Sequence, residues 1–424
     1  MRRRAFLTGF LPMAGKAALR KQEEFRAAAF RPPPNFSVVT TLAGRRLTDW
    51  REHFAREQRL TVAHWEKNGV DRQHGGYLIA GAEGKKRLYH QGRVLWLFSY
   101  WFNHAGGVKA HFEAARQGHD ALVKTALLPD GHWATELTRD WKPRLGFFDI
   151  YADVYMALGL GEYARATGDG EARRLAVATA KLVMKTVLAP DYQGQGLGAW
   201  FEPGIKRLGT WLHLLSALTP LLRYGREDAL AAQARFCVRA IVEKHWQRDG
   251  GFAYEFLDNE WKPYTNTVLD PLPVDGYYED MRTIDSFHSL QAAWLVMEEA
   301  LRTGNRALFL DAMELGFDTL SIHWDDGGNC GLNAIRNPVE GTPALKNRKI
   351  TAILAEAFVF LLMAIEHTHS ALALQWFERV AGCAYQQHHH WDRGATLHEP
   401  RGILFSLQSL ERMIARQGRV SGSV

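Results

Sequence analysis

Cysteine is scarce in this chain: three in 424 residues, at Cys237, Cys330 and Cys383. Each falls in or beside an apolar helical pattern, and no two share the close spacing of a metal clip, so all three are expected to be packing residues. Long apolar runs are missing as well. None reaches the ~18 residues needed to cross a bilayer, which makes a soluble body the expectation. No run of strands alternating with helices supports a parallel sheet. There is no HExxH pairing to hold a metal, and the run His388-His389-His390 closes a helical stretch where solvated surface histidines are the simpler account.

The body also lacks an excess of charge. The formal net charge is +6, but the segment up to Arg26 carries seven basic residues against two acidic ones, so the remainder holds about +1. A nearly neutral body excludes the electrostatic footprint of a nucleic-acid binder. Within that basic segment, Arg3-Arg4-Ala5-Phe6-Leu7-Thr8 resembles a twin-arginine export signal, with Ala27-Ala28-Ala29 as a cleavage region, although Pro12 and Lys16 interrupt its apolar stretch. Export to the periplasm or beyond is therefore expected, with a cytoplasmic protein as the alternative. The segment 1–44 reads as leader and linker, 45–417 as one domain and 418–424 as a tail.

What the sequence does contain is a repeat. A His-Trp pair at the end of a helical pattern, followed by a glycine turn, occurs at His64-Trp65, His245-Trp246, His323-Trp324 and His390-Trp391. Weaker turns at Gly131-His132-Trp133 and Gly198-Ala199-Trp200 complete six, spaced by roughly fifty to seventy-five residues. Between them apolar residues recur at three and four, which predicts twelve helices over 47–67, 90–105, 108–127, 144–166, 170–188, 207–224, 227–247, 284–303, 306–323, 348–367, 370–390 and 399–417. Six helix pairs joined by six turns describe an all-α (α/α)6 barrel, with short β-hairpins in the loops. Helices that follow a turn, such as VLWLFSYWF from Val94 and AILAEAFVFLLMAI from Ala352, are apolar on most sides and belong to the inner ring.

Polar residues near the starts of these inner helices would gather at one mouth of the ring. They are Arg93, Tyr151, Asp153, His213, His288, His398 and Arg401. A histidine at a helix start is ordinarily a cap or a satisfied core residue; several in equivalent repeat positions point to a site. Imidazole titrates near ~6.5, so one can act as base while another acts as acid, and a guanidinium can steady an enediolate oxygen. Such a set suits proton transfer at a carbon beside a carbonyl, and it calls for neither metal nor cofactor. Trp133, Trp200, Trp324 and Trp391 are the aromatic candidates for stacking on a sugar ring.

Several segments resemble the N-acylglucosamine 2-epimerase superfamily, which includes cellobiose 2-epimerases and mannose or sulfoquinovose isomerases. GGYLIAG followed by RVLWLFSY resembles GGFYG and RILWTFS; IDSFHSLQAAWLV resembles GHDIEAAWLL; LHEPRGI resembles FHxPRxL; and the helix from Ile150 is similar to that family's tyrosine-rich one. The resemblance implies His288 and His398 as the catalytic pair, with Arg93 as the arginine of the site. It implies a sugar epimerase or aldose-ketose isomerase acting on a small reducing sugar. His213, Trp391, Tyr151, Gln291, Arg401 and Trp211 are the candidate substrate contacts. The chain departs from the pattern in two places. The glutamate three residues after the first histidine is Gln291, and NTHLHVLEA becomes GTWLHLLSA, so that Gly209, Trp211 and Ser216 replace asparagine, histidine and glutamate. These departures keep open a non-catalytic carbohydrate-binding protein. A glycoside hydrolase or lyase of the same fold is a further alternative, for which Asp153, Asp280, Asp285 or Glu399 would supply the carboxylates.

Overall fold

The computed structural model describes residues 38–79, 84–143, 149–193, 203–264, 281–325, 327, 330–336, 338, 351–386 and 391–421. Twelve α-helices run in chain order among these residues: α1 (Leu47–Asn68), α2 (Leu88–His104), α3 (Lys109–Thr125), α4 (Ile150–Thr167), α5 (Gly170–Val187), α6 (Leu208–Arg223), α7 (Asp228–Arg239), α8 (Ser286–Thr303), α9 (Arg306–His323), α10 (Thr351–Thr368), α11 (Ala371–Gln386) and α12 (His398–Ala415). The even-numbered helices pack on one another in succession to form the inner ring, and each odd-numbered one lies outside. Trp96 on α2 meets Phe405 on α12, and Tyr100 Oη donates to Gln408 Oε1 at 2.8 Å, so the last inner helix closes onto the first. This is the expected (α/α)6 barrel.

Burial explains why each helix takes its ring. In α6, 13 of 16 residues are buried, which leaves no solvent face; in α1, 5 of 22 are buried along one stripe. Helices α2 and α4 approach closely because Gly92 and Gly159 meet across the contact. A Cβ at Gly92 would lie 2.5 Å from the Tyr155 carbonyl oxygen, and one at Gly159 would lie 2.5 Å from the oxygen of Gly92.

The segment expected as one helix over 227–247 differs. It is α-helical to Arg239 and then widens into a π-turn, Ala240–His245, before the chain turns extended at Trp246. The cysteine expectation also needs correction. Cys237 is buried and free, but Cys330 and Cys383 form a disulfide that ties the loop after α9 to α11, with Cα atoms 5.8 Å apart. Their separation of 53 residues in sequence concealed the pairing.

The His-Trp repeat is a structural device. His245 Nδ1–H donates to the carbonyl of Tyr254 and His323 Nδ1–H to that of Asn333, both at 2.8 Å, so each histidine pins the returning limb of its glycine turn. His390 lies outside the described residues. Two-residue ribbons then join neighbouring repeats: Lys206–Arg207 pairs with Phe256–Leu257, and Ile284–Asp285 with Ile335–Arg336. Each ribbon immediately precedes an inner helix and fixes where that helix begins. Val39 and Leu42 are buried, and Val39 N–H donates to the Gly418 carbonyl, which holds the two ends of the described chain together. The arginine pair of the leader lies outside the described residues. No helix among those described is long and apolar enough to cross a membrane.

Candidate active site

The first two turns of the inner helices supply the site. Helix α8 begins with Asp285 as N-cap, its carboxylate accepting from the backbone N–H groups of Phe287 and His288. Asp149 caps α4 in the same way and orients Tyr151. His398 opens α12. Arg93, Tyr155, His213, Gln291 and Glu356 sit one turn further in, on α2, α4, α6, α8 and α10.

These side chains form one connected cluster. The His213 and His288 rings are 5.4 Å apart, Tyr151 stands edge-on to His213 at 5.2 Å, and Phe287 spans the gap between the two proposed catalytic histidines, 6.0 Å from His288 and 4.5 Å from His398. Arg93 donates to Tyr155 Oη at 2.8 Å, and the Tyr155 hydroxyl in turn donates to His213 Nδ1 at 2.9 Å. Tyr155 thus links His213 to Arg93. Burial lowers the His213 pKa well below the ordinary value, and His288 with the Arg93 and Arg401 guanidinium groups acts in the same direction.

Each proposed catalytic imidazole has its own carboxylate, and the one on His288 does not come from the position three residues later. His288 Nδ1–H donates to Glu255 Oε2 at 2.8 Å, while Arg207 Nε–H donates to Glu255 Oε1 at 2.7 Å. His398 Nδ1–H donates to Glu356 Oε1 at 3.0 Å. Glu356 also accepts from Arg401 at 2.9 Å and from Trp294 Nε1–H at 2.7 Å. The carboxylate on His288 comes not from position 291 but from Glu255, at the glycine turn of the preceding repeat. Gln291 accepts from Arg401 at 3.1 Å.

The two imidazoles are biased in opposite directions. Burial disfavours the charged form of both. At His288, Glu255 and Asp285 outweigh burial and the repulsion of Arg207, and the pKa rises. At His398, burial dominates; Glu356 opposes it, but Arg93 and Arg401 add to it, and the pKa falls to about 3. Glu255 itself, despite burial, is held down at about 2 by His288 and Arg207. The arrangement thus favours the charged form of His288 and the neutral form of His398.

Several expected substrate contacts serve other purposes. Trp211 is 1% exposed and stacks on Trp261 at 5.5 Å, between α6 and α7, so it has no face for a sugar. Trp391 is buried against Phe54 and Phe358, Trp133 is in the core with its indole N–H on Thr179, and Trp324 packs on Trp376. Trp200 lies outside the described residues. Gln291 and Arg401 are fully or almost fully buried and stand behind His398 rather than in front of it. Asp153 is held by His132 and by the backbone N–H of Trp133, and Asp285 is a helix cap, so neither is a free hydrolytic acid. Asp280 lies outside the described residues, and Glu399 is buried.

Glu255, Glu356, Arg207 and Tyr155 escaped the sequence reading. One signal was available for Glu356: it is a lone carboxylate early in a helix that is otherwise apolar. Glu255, Asp285 and His288 offer donor atoms within 4.8 Å of one another, a spacing a cation would accept. Their atoms are already engaged, however, Glu255 by Arg207 and His288, and Asp285 by the start of α8.

A ring of paired helices with two imidazole–carboxylate pairs at its mouth defines the class. The family profile of N-acylglucosamine 2-epimerase (GlcNAc 2-epimerase) matches residues 50–396, ending just short of His398. The chain is 25% identical over 365 residues to the N-acylglucosamine 2-epimerase of Homo sapiens, covering 80% of each protein. Its fold is similar to that of the cellobiose 2-epimerase from Spirochaeta thermophila DSM 6192, with TM-score 0.70 and 19% identity over 87% of this chain and 98% of the other. It is also similar to that of a D-mannose isomerase, with TM-score 0.68 and 14% identity over 86% and 98%. The chain belongs to the N-acylglucosamine 2-epimerase family.

Proposed function

We propose that the protein is a sugar epimerase or aldose-ketose isomerase that moves a proton at C2 of the open-chain form of a reducing sugar. The observation that carries this reading is the opposite bias of His288 and His398, each anchored at Nδ1 by a buried carboxylate. The neutral Nε2 of His398 takes the proton from C2, and the C–H electron pair moves into an enediolate. Arg93 steadies the developing oxygen charge. The imidazolium of His288 then returns a proton to the opposite face of C2, which inverts that carbon. Return of the proton to C1 instead gives the ketose. Relatives whose names describe epimerisation of acylglucosamine and cellobiose support the substrate class.

The test is solvent-deuterium incorporation, read by NMR, across N-acetylglucosamine, cellobiose, glucose and mannose. Incorporation at C2 that disappears in His398→Ala supports the mechanism. Undiminished exchange in that variant removes His398 from it, and binding of a sugar without any exchange replaces the enzyme with a binding protein.

We further propose that the protein works in an oxidising compartment. The Cys330–Cys383 disulfide supports this, because such bonds persist outside the reducing cytosol, and so does the arginine pair of the leader. Fractionation of expressing cells, with free-thiol counting on the protein recovered, checks the assignment.

A further inference from the structure

A second cavity, of about 520 Å³, opens at the far end of the inner ring, among the C-terminal turns of the helices whose N-terminal turns carry the catalytic cluster. Its volume lies within the range of ordinary small-molecule sites. Tyr100 and Arg223 stand on its walls, and its lining reaches inward to Trp294 and Arg401. Those two residues are the partners of Glu356, which holds His398. The two sites are thus back to back, separated by one shared layer of side chains.

Three observations indicate that the far cavity takes a ligand. Arg401 uses one guanidinium nitrogen on Glu356 and Gln291, but its Nε–H is buried without an acceptor. A buried donor in that state lacks the hydrogen bond it had in water, which a bound acceptor would restore. Arg223 is 41% exposed, and its nearest carboxylate, Glu298, is 3.9 Å away, beyond hydrogen-bond reach. Finally Ser216, which lines the cavity, stands where the family segment NTHLHVLEA has a glutamate. The short hydroxyl, turned back onto the carbonyl of His213, leaves space that a carboxylate chain would fill.

The lining selects the chemistry of the ligand. The C-termini of α2, α4, α6 and α12 disfavour an anion there, as do Glu162, Glu298 and Glu411. Arg165, Arg223 and Arg412 disfavour a cation. Donors and acceptors of both signs beside aromatic rings match a neutral polyhydroxylated ring, whose hydroxyls do both and whose C–H face is apolar.

We propose that this cavity is a second binding site for a neutral mono- or disaccharide. The proposed function enters only in the choice of sugars to test. The experiment is equilibrium dialysis of the full chain with radiolabelled cellobiose, N-acetylglucosamine and mannose, repeated on Ser216→Glu, Arg223→Glu and His288→Ala. One bound equivalent should survive His288→Ala and weaken at least tenfold in both Ser216→Glu and Arg223→Glu, with melting temperatures of the last two near that of the native chain. The site is overturned when no sugar in the panel leaves an equivalent in His288→Ala, or when that equivalent persists at native affinity in Arg223→Glu and Ser216→Glu. Because dialysis reads binding alone, a chain that shows no proton exchange at C2 can still pass this test, and an active one can fail it.

Discussion

Glu255 and His288 come from adjacent repeats, 33 residues apart, and their side chains meet at 2.8 Å inside the barrel, with Arg207 on the far oxygen of the carboxylate. The ribbon pairing Lys206–Arg207 with Phe256–Leu257 sets Glu255 against the start of α6, and the bridge from Tyr254 to Ile284 sets it against the start of α8. Leu208 N–H donates to the Glu255 carbonyl at 2.8 Å, so backbone and side chain are located by the same contact. This pair governs the protonation of His288, and its loss should show in the pH dependence.

The raised pKa of His288 keeps it protonated above the ordinary imidazole value of ~6.5, and activity that needs the imidazolium should decline only as pH rises through the shifted value. In Glu255→Gln the attraction is gone while Arg207 remains, so the alkaline limb of kcat/KM should move down by about one pH unit or more. A limb that stays in place separates it from His288.

Glu356 is buried and lowered in pKa; burial opposes its charge, but Arg401 and His398 outweigh that cost. Glu356→Gln leaves the Arg401 guanidinium buried without its counter-charge, a change that costs about 3–5 kcal/mol. The variant should unfold at lower urea concentration and lose kcat with little change in KM, since Glu356 acts through His398 rather than on the sugar. Native stability with an intact kcat would show that Arg401 finds another partner.

Gly209 stands where the family segment has asparagine, and the space explains it. A Cβ there would lie 2.9 Å from His288 Cε1 and 3.0 Å from Tyr151 Oη. Gly209→Asn should displace the imidazole, cost about 1–3 kcal/mol by overpacking and cut kcat at least tenfold. An active, stable variant would mean that His288 has room to move.

Acid should destabilise the fold through its buried imidazoles. Burial is the largest cause in each case: His398, His90 and His323 are lowered to about 3 and His245 to about 4. Below ~6.5 the unfolded chain takes up protons that the folded one refuses, so stability falls as pH drops, by about 1.4 kcal/mol per pH unit for each such histidine. His288 has the opposite sign, contributing fully below ~6.5 and losing its contribution as pH rises through its raised value. Urea melts at pH 7 and pH 5 measure the balance; equal midpoints would contradict it, and His323→Asn should make the slope shallower.

The disulfide closes a loop that contains the whole of α10 and therefore Glu356. By loop-closure entropy a 53-residue separation is worth about 4 kcal/mol. Cys330→Ser combined with Cys383→Ser should lower the melting temperature, and reductant should do the same to the native chain while leaving the double variant unchanged. A native chain indifferent to reductant would set the bond aside as a stabilising element.

Helix count, ring assignment and the positions of Arg93, His213, His288 and His398 were legible from the sequence because they depend on local periodicity. An apolar-all-round helix such as α6 has only one place to go, and a residue one turn into it can point only toward the mouth or a neighbour. Pairing at a distance was not legible. Glu255 with His288, Glu356 with His398 and Cys330 with Cys383 join residues whose proximity is set by ring closure and by two-residue ribbons too short to leave a strand pattern. The tryptophans illustrate the same limit: Trp211 and Trp391 carry the composition of a sugar platform, and only packing decides which neighbour covers each face. The amino-acid order by itself determined the helices and which residues head them. The closed ring decided the charges around each imidazole, and with them the direction in which each pKa moves.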